Sequence, residues 1–499
     1  MSAEPSRKSA TQIASIRSGA DYLAAIKNDG RRVYYDGEIV KDVTTHKAFA
    51  GAAKSLARLF DVAADPKNRE LMTFVSPKTG APVWRCYHVP KTAEDLAARR
   101  KFSARWAEET FGLMGRTPDH VANFLAGYAS KPSVFAEHSK QFANNVLAYH
   151  AKARDESLYL SYAIVPPQID RLKPAHKQSD PTLHAGVVKE TDAGIVLKGA
   201  QQLATGSPFS DAVYISCIHP MLPGDEAYAF AAAVPCNAPG LKIYARRTYA
   251  QGASSSFDYP LSSRFDEVDA LLVLDDVFVP WENVFCHRNL ALCRDQWWKT
   301  PSHSYGNHQA QARYAAKLKF LMGLTKRLCE ITGVDAMPPV QIQLGEMAAF
   351  ATIVDSMIIA QEAQATIDSE GTVWPSKPAL YAVMSLQSEI NPRLLDIARE
   401  LAGGSMIMLP SSVRDFEAPE FAADLERYIA SPSHPSRERV KALKLAWDLI
   451  GTEFAGRHEQ YEKFYGGASF LVKQNMARAY DFAAASRMVD RALAFPEES

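Results

Sequence analysis

The order of helical and strand-like segments predicts an α+β protein with helical terminal thirds and a β-rich middle third. Three patterns support this prediction: apolar residues at helical spacing near the N-terminus, short alternating runs bounded by Pro and Gly in the middle, and long apolar stripes after residue 308. The 499 residues exceed what one hydrophobic core usually serves, so we place three domains at 1–160, 161–290 and 291–499.

The N-terminal third combines helices with one short hairpin. Apolar residues between Phe49 and Phe60 follow helical spacing, whereas Arg31–Glu38 alternates and turns at Asp36-Gly37. A longer helix is predicted for Ala93–Met114. Thr92 suits its N-cap, because a threonine hydroxyl can accept a hydrogen bond from the free amides of the first turn.

The middle third reads as antiparallel strands and the last third as a helical bundle. A hairpin is predicted over Gly186–Gly199. Further strands are predicted at Ala212–Ile218, Tyr228–Val234, Leu241–Ala245 and Ala270–Leu274. Beyond His308, apolar residues recur every three or four positions in several successive segments, which favours a bundle and an oligomer interface.

Composition excludes several classes of function. The 56 basic and 56 acidic side chains cancel, so no surface for nucleic acid or an anionic membrane is expected. We expect neither a secretory signal nor a bilayer-spanning run. Six cysteines without C-x-x-C spacing indicate reduced thiols in a cytoplasmic protein, and no metal site is predicted. The sequence contains no G-x-G-x-x-G after a strand, no P-loop, no H-E-x-x-H and no G-x-S-x-G.

Several ordered motifs together resemble one known family. They are Ser18–Leu23 with Tyr35–Glu38 and Thr44–His46, Pro90–Thr92 leading to Gly115–Asp119, Pro167–Arg171, and the most specific stretch, Tyr259–Phe285. The set resembles the 4-hydroxyphenylacetate 3-hydroxylase family, the large oxygenase components of reduced-flavin monooxygenases. This resemblance spans nearly the whole chain.

The resemblance implies a fold similar to acyl-CoA dehydrogenases, with a middle antiparallel β-barrel and a C-terminal bundle, as a homotetramer. It implies FAD, received as FADH₂ from a separate NAD(P)H-dependent flavin reductase. It also implies that O₂ reacts through a C4a-hydroperoxyflavin to hydroxylate a phenolic or related heteroaromatic substrate. The absence of a Rossmann signature in this chain agrees with an external reductase.

The resemblance also implies individual site residues. Arg99 would hold the phenol oxygen, and His308 would take its proton. Ser103 and Tyr162 stand where hydroxyphenylacetate enzymes carry a tyrosine and a histidine, so a different substrate is expected. The resemblance makes both of them substrate contacts, and Tyr162 would also act in catalysis by donating its own hydroxyl. Further substrate contacts are expected at Ile218 and His219. The resemblance assigns FAD to Tyr162, Ala163, Ile164, Gln168, Ile169, Asp170, Arg171, Thr205, Ala468, Ser469, Phe470 and Leu471.

Arg457 is a candidate from the sequence pattern itself, because it interrupts the apolar stripe between Phe454 and Tyr461. A buried arginine needs an anionic partner, either the FAD pyrophosphate or a carboxylate of a neighbouring subunit.

Two other functions are open at this point. One is a lyase like the 4-hydroxybutyryl-CoA dehydratases, whose cluster cysteines would fall near Arg99 and Ser103, where this chain has none. The other is a non-catalytic scaffold of the same fold, which the substitutions at Ser103 and Tyr162 would favour.

Overall fold

The computed structural model describes residues 16–495, and the N-terminal third is helical with two small hairpins. Its helices are α1 Gly19–Ile26, α2 Ala50–Ala64, α3 Arg69–Met72, α4 Ala93–Glu109, α5 Asp119–Ser130, α6 Ser133–Ala136 and α7 Lys140–Asp155. Its strands are β1 Arg32–Tyr35, β2 Glu38–Val40, β3 Thr73–Val75 and β4 Pro82–Trp84. The hydroxyl of Thr92 accepts the amide of Asp95, which confirms the predicted cap of α4.

The middle third contains the larger sheets. Its elements are β5 Leu160–Ala163, β6 Gly186–Thr191, β7 Gly194–Gln201, β8 Ala212–Ile215, β9 Phe230–Pro235, β10 Leu241–Ala245, α8 Ser262–Phe265, β11 Ala270–Pro280 and β12 Val284–His287. The predicted hairpin over Gly186–Gly199 is confirmed as the antiparallel pair β6–β7.

The expected closed barrel is not found in residues 16–495; two open sheets take its place. The larger sheet has the order β2-β1-β10-β11-β7-β6, and the smaller has the order β12-β9-β8-β5. The pairs β1–β10 and β5–β8 are parallel, so the sheets are not purely antiparallel. Both parallel pairs join strands that are distant in sequence. Local alternation and turn residues therefore gave no sign of them.

The last third is a bundle. Its elements are α9 Leu290–Trp298, α10 Ser302–Thr332, α11 Pro338–Ala363, β13 Thr366–Ile367, β14 Val373–Trp374, α12 Lys377–Ala402, α13 Pro419–Ile429, α14 Ser436–Ile450, α15 Glu453–Phe464, α16 Ser469–Ala479 and α17 Phe482–Leu493. By length and composition alone, helix α11 is long and apolar enough to cross a membrane. The expectation that no apolar run could span a bilayer is therefore wrong. It packs on α4, α10 and α12.

Close packing of α5 against α10 brings the N-terminal and C-terminal helices together. A Cβ on Gly306 would lie 2.1 Å from the ring of Phe124, and a Cβ on Gly127 would lie 2.4 Å from the backbone of Ser302. Only glycine allows this approach at either position. As a result, the end of α5 lies against the start of α10, and the first turn of α5 faces Gln309 in the buried interior, where the polar residues described next converge.

Candidate active site

Arg99 projects from α4 into the interior and is only 2 % exposed. Its guanidinium donates to the carbonyl of His88 and to the side-chain oxygen of Asn123, and it lies 4.6 Å from the ring centroid of Tyr305. None of these partners is anionic. Burial lowers the pKa of Arg99, but a guanidinium stays charged in proteins. Arg99 therefore presents a positive charge that no carboxylate in residues 16–495 neutralises through a salt bridge.

His308, in the first turns of α10, forms a pair with a carboxylate. Its Nε2 lies 3.0 Å from Glu362 Oε1, and the same oxygen lies 2.6 Å from Nε of Arg100. Because the carboxylate accepts, Nε2 carries the ring proton and Nδ1 carries the free electron pair. Burial lowers the pKa of His308 despite the nearby Glu362, and Arg99 and Arg100 lower it further. The imidazole is therefore held neutral, as a proton acceptor.

Ser103 lies one helical turn after Arg99 and is buried beside Asp119. The Asp119 carboxylate accepts from Thr117 Oγ1 at 2.5 Å and from Gln309 Nε2 at 3.1 Å. Burial raises the pKa of Asp119, while the hydrogen bonds from Thr117, Ser103 and Gln309 favour its ionised form. This network links α4, α5 and α10 around the site.

Tyr162 is half-buried on β5, where Ala163 and Ile164 are buried behind it. Its ring lies 5.3 Å from the ring of His120 and 5.0 Å from the guanidinium carbon of Arg116. Neither His120 nor Arg116 was among the residues predicted for the site, although Arg116 belongs to the motif Gly115–Asp119.

Thr205 and Arg457 meet at one carboxylate, Asp269. Oδ1 of Asp269 accepts from the Thr205 hydroxyl and from Nη2 of Arg457, both at 2.6 Å, and Nε of Arg246 lies 2.9 Å from Oδ2. Burial alone would raise the pKa of Asp269, but Arg457 and Arg246 hold it well below its usual range. Nη1 of Arg457 also donates to Glu267 at 2.8 Å. The anionic partners of Arg457 are therefore two carboxylates of its own chain.

Glu267 and Asp269 both come from the stretch Tyr259–Phe285, as does Asp266, whose Oδ1 accepts from Nη2 of Arg246 at 2.6 Å. In the sequence, that stretch indicated only the family, and its carboxylates were not among the predicted site residues. Their signal was available, because charged residues that interrupt a buried segment need partners. Which arginines those partners are depends on contacts between residues far apart in the chain, and no local pattern indicates them.

A cavity of about 530 Å³ is lined by the loop 166–175 and by residues within 217–222, which follow β8. Its lining includes Gln168, Asp170, Arg171 and His219, so the structure brings three predicted FAD residues together with one predicted substrate residue. Ile169 is 57 % exposed, and Ile218 packs against the core. The segment Ala468–Leu471 forms the start of α16, where Phe470 and Leu471 are largely exposed. It takes no part in the hydrogen bonds described above.

The cavity fits the chemistry of a dinucleotide cofactor. Its volume lies within the ~300–1,000 Å³ typical of small-molecule sites. Arg171 supplies a cation for an anionic pyrophosphate, and the buried Oε1 of Gln201, also in the lining, has no hydrogen-bond partner in residues 16–495. A ligand donor would satisfy that oxygen.

Comparisons with known proteins cover nearly the whole chain. The family model described as 4-hydroxyphenylacetate 3-hydroxylase N terminal matches residues 18–286, and the model described as its C terminal matches residues 293–494. The oxygenase component of 4-hydroxyphenylacetate 3-monooxygenase from Thermus thermophilus is 34% identical over 93% of this chain and 95% of its own length. The oxygenase component of 4-nitrophenol 2-monooxygenase from Rhodococcus sp is 35% identical over 93% of this chain and 88% of its own.

Solved structures agree with this similarity. A crystal structure of the oxygenase component of 4-hydroxyphenylacetate 3-monooxygenase, complexed with FAD and 4-hydroxyphenylacetate, is 33% identical with a TM-score of 0.90, over 96% of this chain and 98% of that one. An archaeal 4-hydroxybutyryl-CoA dehydratase from N. maritimus shares the fold, with a TM-score of 0.88 at 21% identity over 97% of this chain and 96% of that one. The chain therefore belongs to the 4-hydroxyphenylacetate 3-hydroxylase family.

Proposed function

We propose that this chain is the oxygenase component of a two-component, FAD-dependent aromatic monooxygenase, and that its substrate is a phenol other than 4-hydroxyphenylacetate. Family membership and similarity to oxygenase components over more than nine-tenths of the chain support the reaction. The observation that carries the site is the buried charge of Arg99, unpaired by carboxylates in the described chain, near the His308–Glu362 pair.

Arg99 would bind the substrate oxygen. The phenol ring reacts faster as a phenolate, and a buried guanidinium stabilises the developing negative charge more strongly than solvent would. The bonds to His88 and Asn123 fix the orientation of the guanidinium in advance. Reduced FAD, when bound, supplies the activation of O₂, and these protein groups supply the position and charge of the ring.

His308 would take the phenol proton at Nδ1. Glu362 orients the ring by accepting from Nε2, which is the arrangement of a general base and its orienting carboxylate. Because burial lowers its pKa, His308 is already neutral at neutral pH and ready to accept.

The identity of the substrate follows from the side chains that would surround its ring. Ser103 is small, and Tyr162 presents a hydroxyl from β5. Both differ from the tyrosine and histidine expected in hydroxyphenylacetate enzymes. A relative that is 35% identical is a 4-nitrophenol monooxygenase, which supports a search among phenols beyond 4-hydroxyphenylacetate.

The remaining proposals concern partners and location. An oxygenase component implies a reductase that supplies FADH₂, and we propose that diffusion of FADH₂ suffices. We also propose a homotetramer, supported by the largely exposed apolar helices α11 and α17. A cytoplasmic location is supported by six buried cysteines that all remain thiols.

The lyase alternative lacks support from the side chains. No group of three or more His, Cys, Asp or Glu residues within 16–495 could hold a metal ion. Ser103 stands where a cluster cysteine would be required. The scaffold alternative predicts that the chain binds no reduced FAD.

The test is to mix the protein with chemically reduced FAD and O₂ and to supply a panel of phenols and nitrogen heteroaromatics. We expect hydroxylated product from at least one phenol, with less product from 4-hydroxyphenylacetate. Absence of any product, together with FADH₂ oxidation no faster than without protein, would contradict the proposed function. A brown, iron-containing preparation would instead favour the lyase.

A further inference from the structure

A second buried arginine, Arg116, has its guanidinium enclosed by aromatic rings, and within residues 16–495 that guanidinium contacts no carboxylate at salt-bridge distance. The guanidinium carbon lies 4.5 Å from the ring centroid of Tyr465, 5.0 Å from that of Tyr162 and 5.3 Å from that of Tyr461. We call these three rings the tyrosine cage. In residues 16–495 Arg116 forms no salt bridge, and its buried Nη1 has no hydrogen-bond partner. Cation–π contacts stabilise the charge but leave the N–H donor unused.

His120 places an unpaired acceptor near the same cage. Its Nδ1 lies 3.1 Å from Gln309 Oε1 and 3.4 Å from the Tyr465 hydroxyl, and Gln309 Nε2 donates to Asp119. Several donors converge on the Asp119 carboxylate, so this group accepts hydrogen bonds. The NH₂ group of Gln309 therefore points toward Asp119, and its Oε1 points toward His120. Nδ1 of His120 therefore carries the proton, and Nε2, which has no partner in the described chain, carries the free electron pair.

A charged donor and a bare acceptor around the same rings specify the ligand. An anion would satisfy Arg116 but would face the electron pair of His120. A hydroxyl satisfies both, because its oxygen accepts from Nη1 while its hydrogen is donated to Nε2. The hydroxyl of Tyr461, also buried without a partner, can contribute a third hydrogen bond. A buried polar group without a partner is costly, so native proteins seldom leave several together without an occupant.

The position of His120 relates this subsite to Arg99. Asn123, which accepts from Arg99, lies three residues after His120 on α5, and residues at this spacing have Cβ atoms about 5–6 Å apart on one face. His120 and Asn123 are therefore neighbours on one face of α5. Tyr162, a half-buried member of the cage, contacts both Arg116 and His120.

We propose that Arg116 and His120 bind a second hydroxyl of the substrate, opposite the oxygen held at Arg99. The substrate is then a ring with two hydroxyl functions, not a simple phenol. This inference rests on the proposed function and names the class of phenol that the same site prefers.

The test measures equilibrium binding to the full chain loaded with reduced FAD in the absence of O₂. Phenol is compared with the three dihydroxybenzenes and with the three methoxyphenols, which keep the second oxygen but lack its proton. We expect one dihydroxybenzene to bind at least about tenfold more tightly than phenol, as a hydrogen bond to a charged group allows. Its methoxy analogue should lose that gain. Because this comparison needs no variant, it decides the proposal even if substitutions impair folding.

Variants then assign the gain to residues. His120→Asn keeps a donor toward Gln309 but removes the acceptor at Nε2, so the ratio of phenol Kd to dihydroxybenzene Kd should fall to about one. Arg116→Gln should lower this ratio in the same way. His120→Gln places an amide oxygen near the Nε2 position, so its ratio should lie between those of His120→Asn and the wild type. His150→Asn, a buried histidine bonded to the carbonyl of Tyr87, is the matched control and should keep the ratio.

Three results would overturn the inference: no gain from a second hydroxyl in the wild type, an equal gain from the methoxy analogue, or a ratio that survives both His120→Asn and Arg116→Gln. Each would mean that the subsite holds only water. Hydroxylation of simple phenols would still stand in those cases. If no phenol binds or reacts at all, the proposed function itself fails.

Discussion

Two buried arginines of this protein, Arg457 and Arg99, differ in their partners. The difference indicates which one supports the fold and which one can bind a ligand. Arg457 is bonded to Glu267 and Asp269, whereas Arg99 is bonded only to neutral oxygens and an aromatic face. A guanidinium already neutralised by two carboxylates has little left for an external anion. Arg99 is therefore the stronger candidate for contact with a phenolate.

Replacing Arg99 with lysine should weaken phenol binding by roughly one to two orders of magnitude, because an ammonium does not reproduce the fork of N–H donors. FADH₂ oxidation should then proceed with little hydroxylated product. Arg105→Lys, on the same helix but paired with Glu109, serves as the control for binding and product yield. Unchanged coupling in Arg99→Lys would remove Arg99 from the mechanism.

The pH dependence of the reaction should respond to Arg100. The base requires neutral His308, so kcat/KM falls as the pH drops through the pKa of that residue. Burial lowers this pKa and the charge of Arg100 lowers it further. Arg100→Gln removes the charge and frees Glu362, so the pKa rises and the acid limb moves to higher pH. Arg105→Gln should leave the limb in place. A limb unmoved by Arg100→Gln would argue against His308 as the base.

At the residue scale, the sequence predicted Arg99, Tyr162 and His308 through family motifs. The structure buries Arg99 and His308 beside polar partners and half-buries Tyr162 against His120 and Arg116. The sequence did not predict Glu362, which lies 54 residues from His308 along the chain. Nothing in a single sequence ties a carboxylate on one helix to a histidine on another. The residues that set the protonation state of His308 could therefore be identified only from the structure.

At the scale of elements, the stretch Tyr259–Phe285 contacts distant parts of the chain through Glu267, which precedes its strand β11. Both carboxylate oxygens of Glu267 are used: Oε2 accepts the amides of Gly115 and Arg116 at 2.8 Å each, and Oε1 accepts from Arg457. One side chain thereby joins the loop after α4 to helix α15.

Glu267→Gln should loosen that loop, since the neutral amide loses the charge-assisted bonds, each contributing about 1.5–3 kcal/mol. We expect faster hydrogen exchange at residues 115–119. Glu282→Gln, an exposed position of the same stretch, should leave that exchange unchanged. Slow exchange at 115–119 in Glu267→Gln would show that other contacts hold the loop.

Helices α10, α12 and α15 meet at a second buried carboxylate, Glu462. It accepts from Arg313 at 2.6 Å and 2.7 Å, from Lys317 at 2.9 Å and from Gln387 at 2.7 Å. Burial would raise the pKa of Glu462, but the two cations lower it from 4.5 to about 2.

Because the folded pKa is depressed, the contribution of Glu462 to stability is complete above pH 4.5 and is lost as the pH falls toward 2. Glu462→Gln should lower the free energy of unfolding by roughly 3–5 kcal/mol at neutral pH, since it leaves two buried cations uncompensated. The difference from wild type, measured by denaturant titration, should shrink across that acidic window. If the difference in unfolding free energy stayed constant with pH, the substitution would act through packing and not through charge.

Elements with local signals were predicted well. The cap of α4, the hairpin β6–β7 and the strand β10 follow from residues next to each other in sequence. The strand pairs β1–β10 and β5–β8 were missed, because alternation shows that a segment is a strand but not which strand lies beside it.

At the scale of the whole molecule, α17 has no buried residue and exposes Met488, Val489 and Leu493, each by more than half. Val489 and Leu493 are four residues apart and share one face. Covering such side chains stabilises an interface by about 1.5–3 kcal/mol each.

The double substitution Val489→Lys and Leu493→Lys should therefore shift the protein to smaller species in analytical ultracentrifugation. Val75→Lys, an equally exposed apolar position in β3, is the control and should leave the mass unchanged. An unaltered mass in the double variant would show that α17 lies outside the interface of the proposed homotetramer.

The bond between Glu267 and Arg457 spans 190 positions. At about 5–20 residues per second, a ribosome needs roughly 10 to 40 s to add that length of chain. Throughout this interval Glu267 exists without the cation that α15 will bring to it. The cluster of Thr205, Glu267, Asp269 and Arg457 is consequently among the last parts of the molecule to be completed during synthesis, and a chain truncated before α15 lacks it altogether.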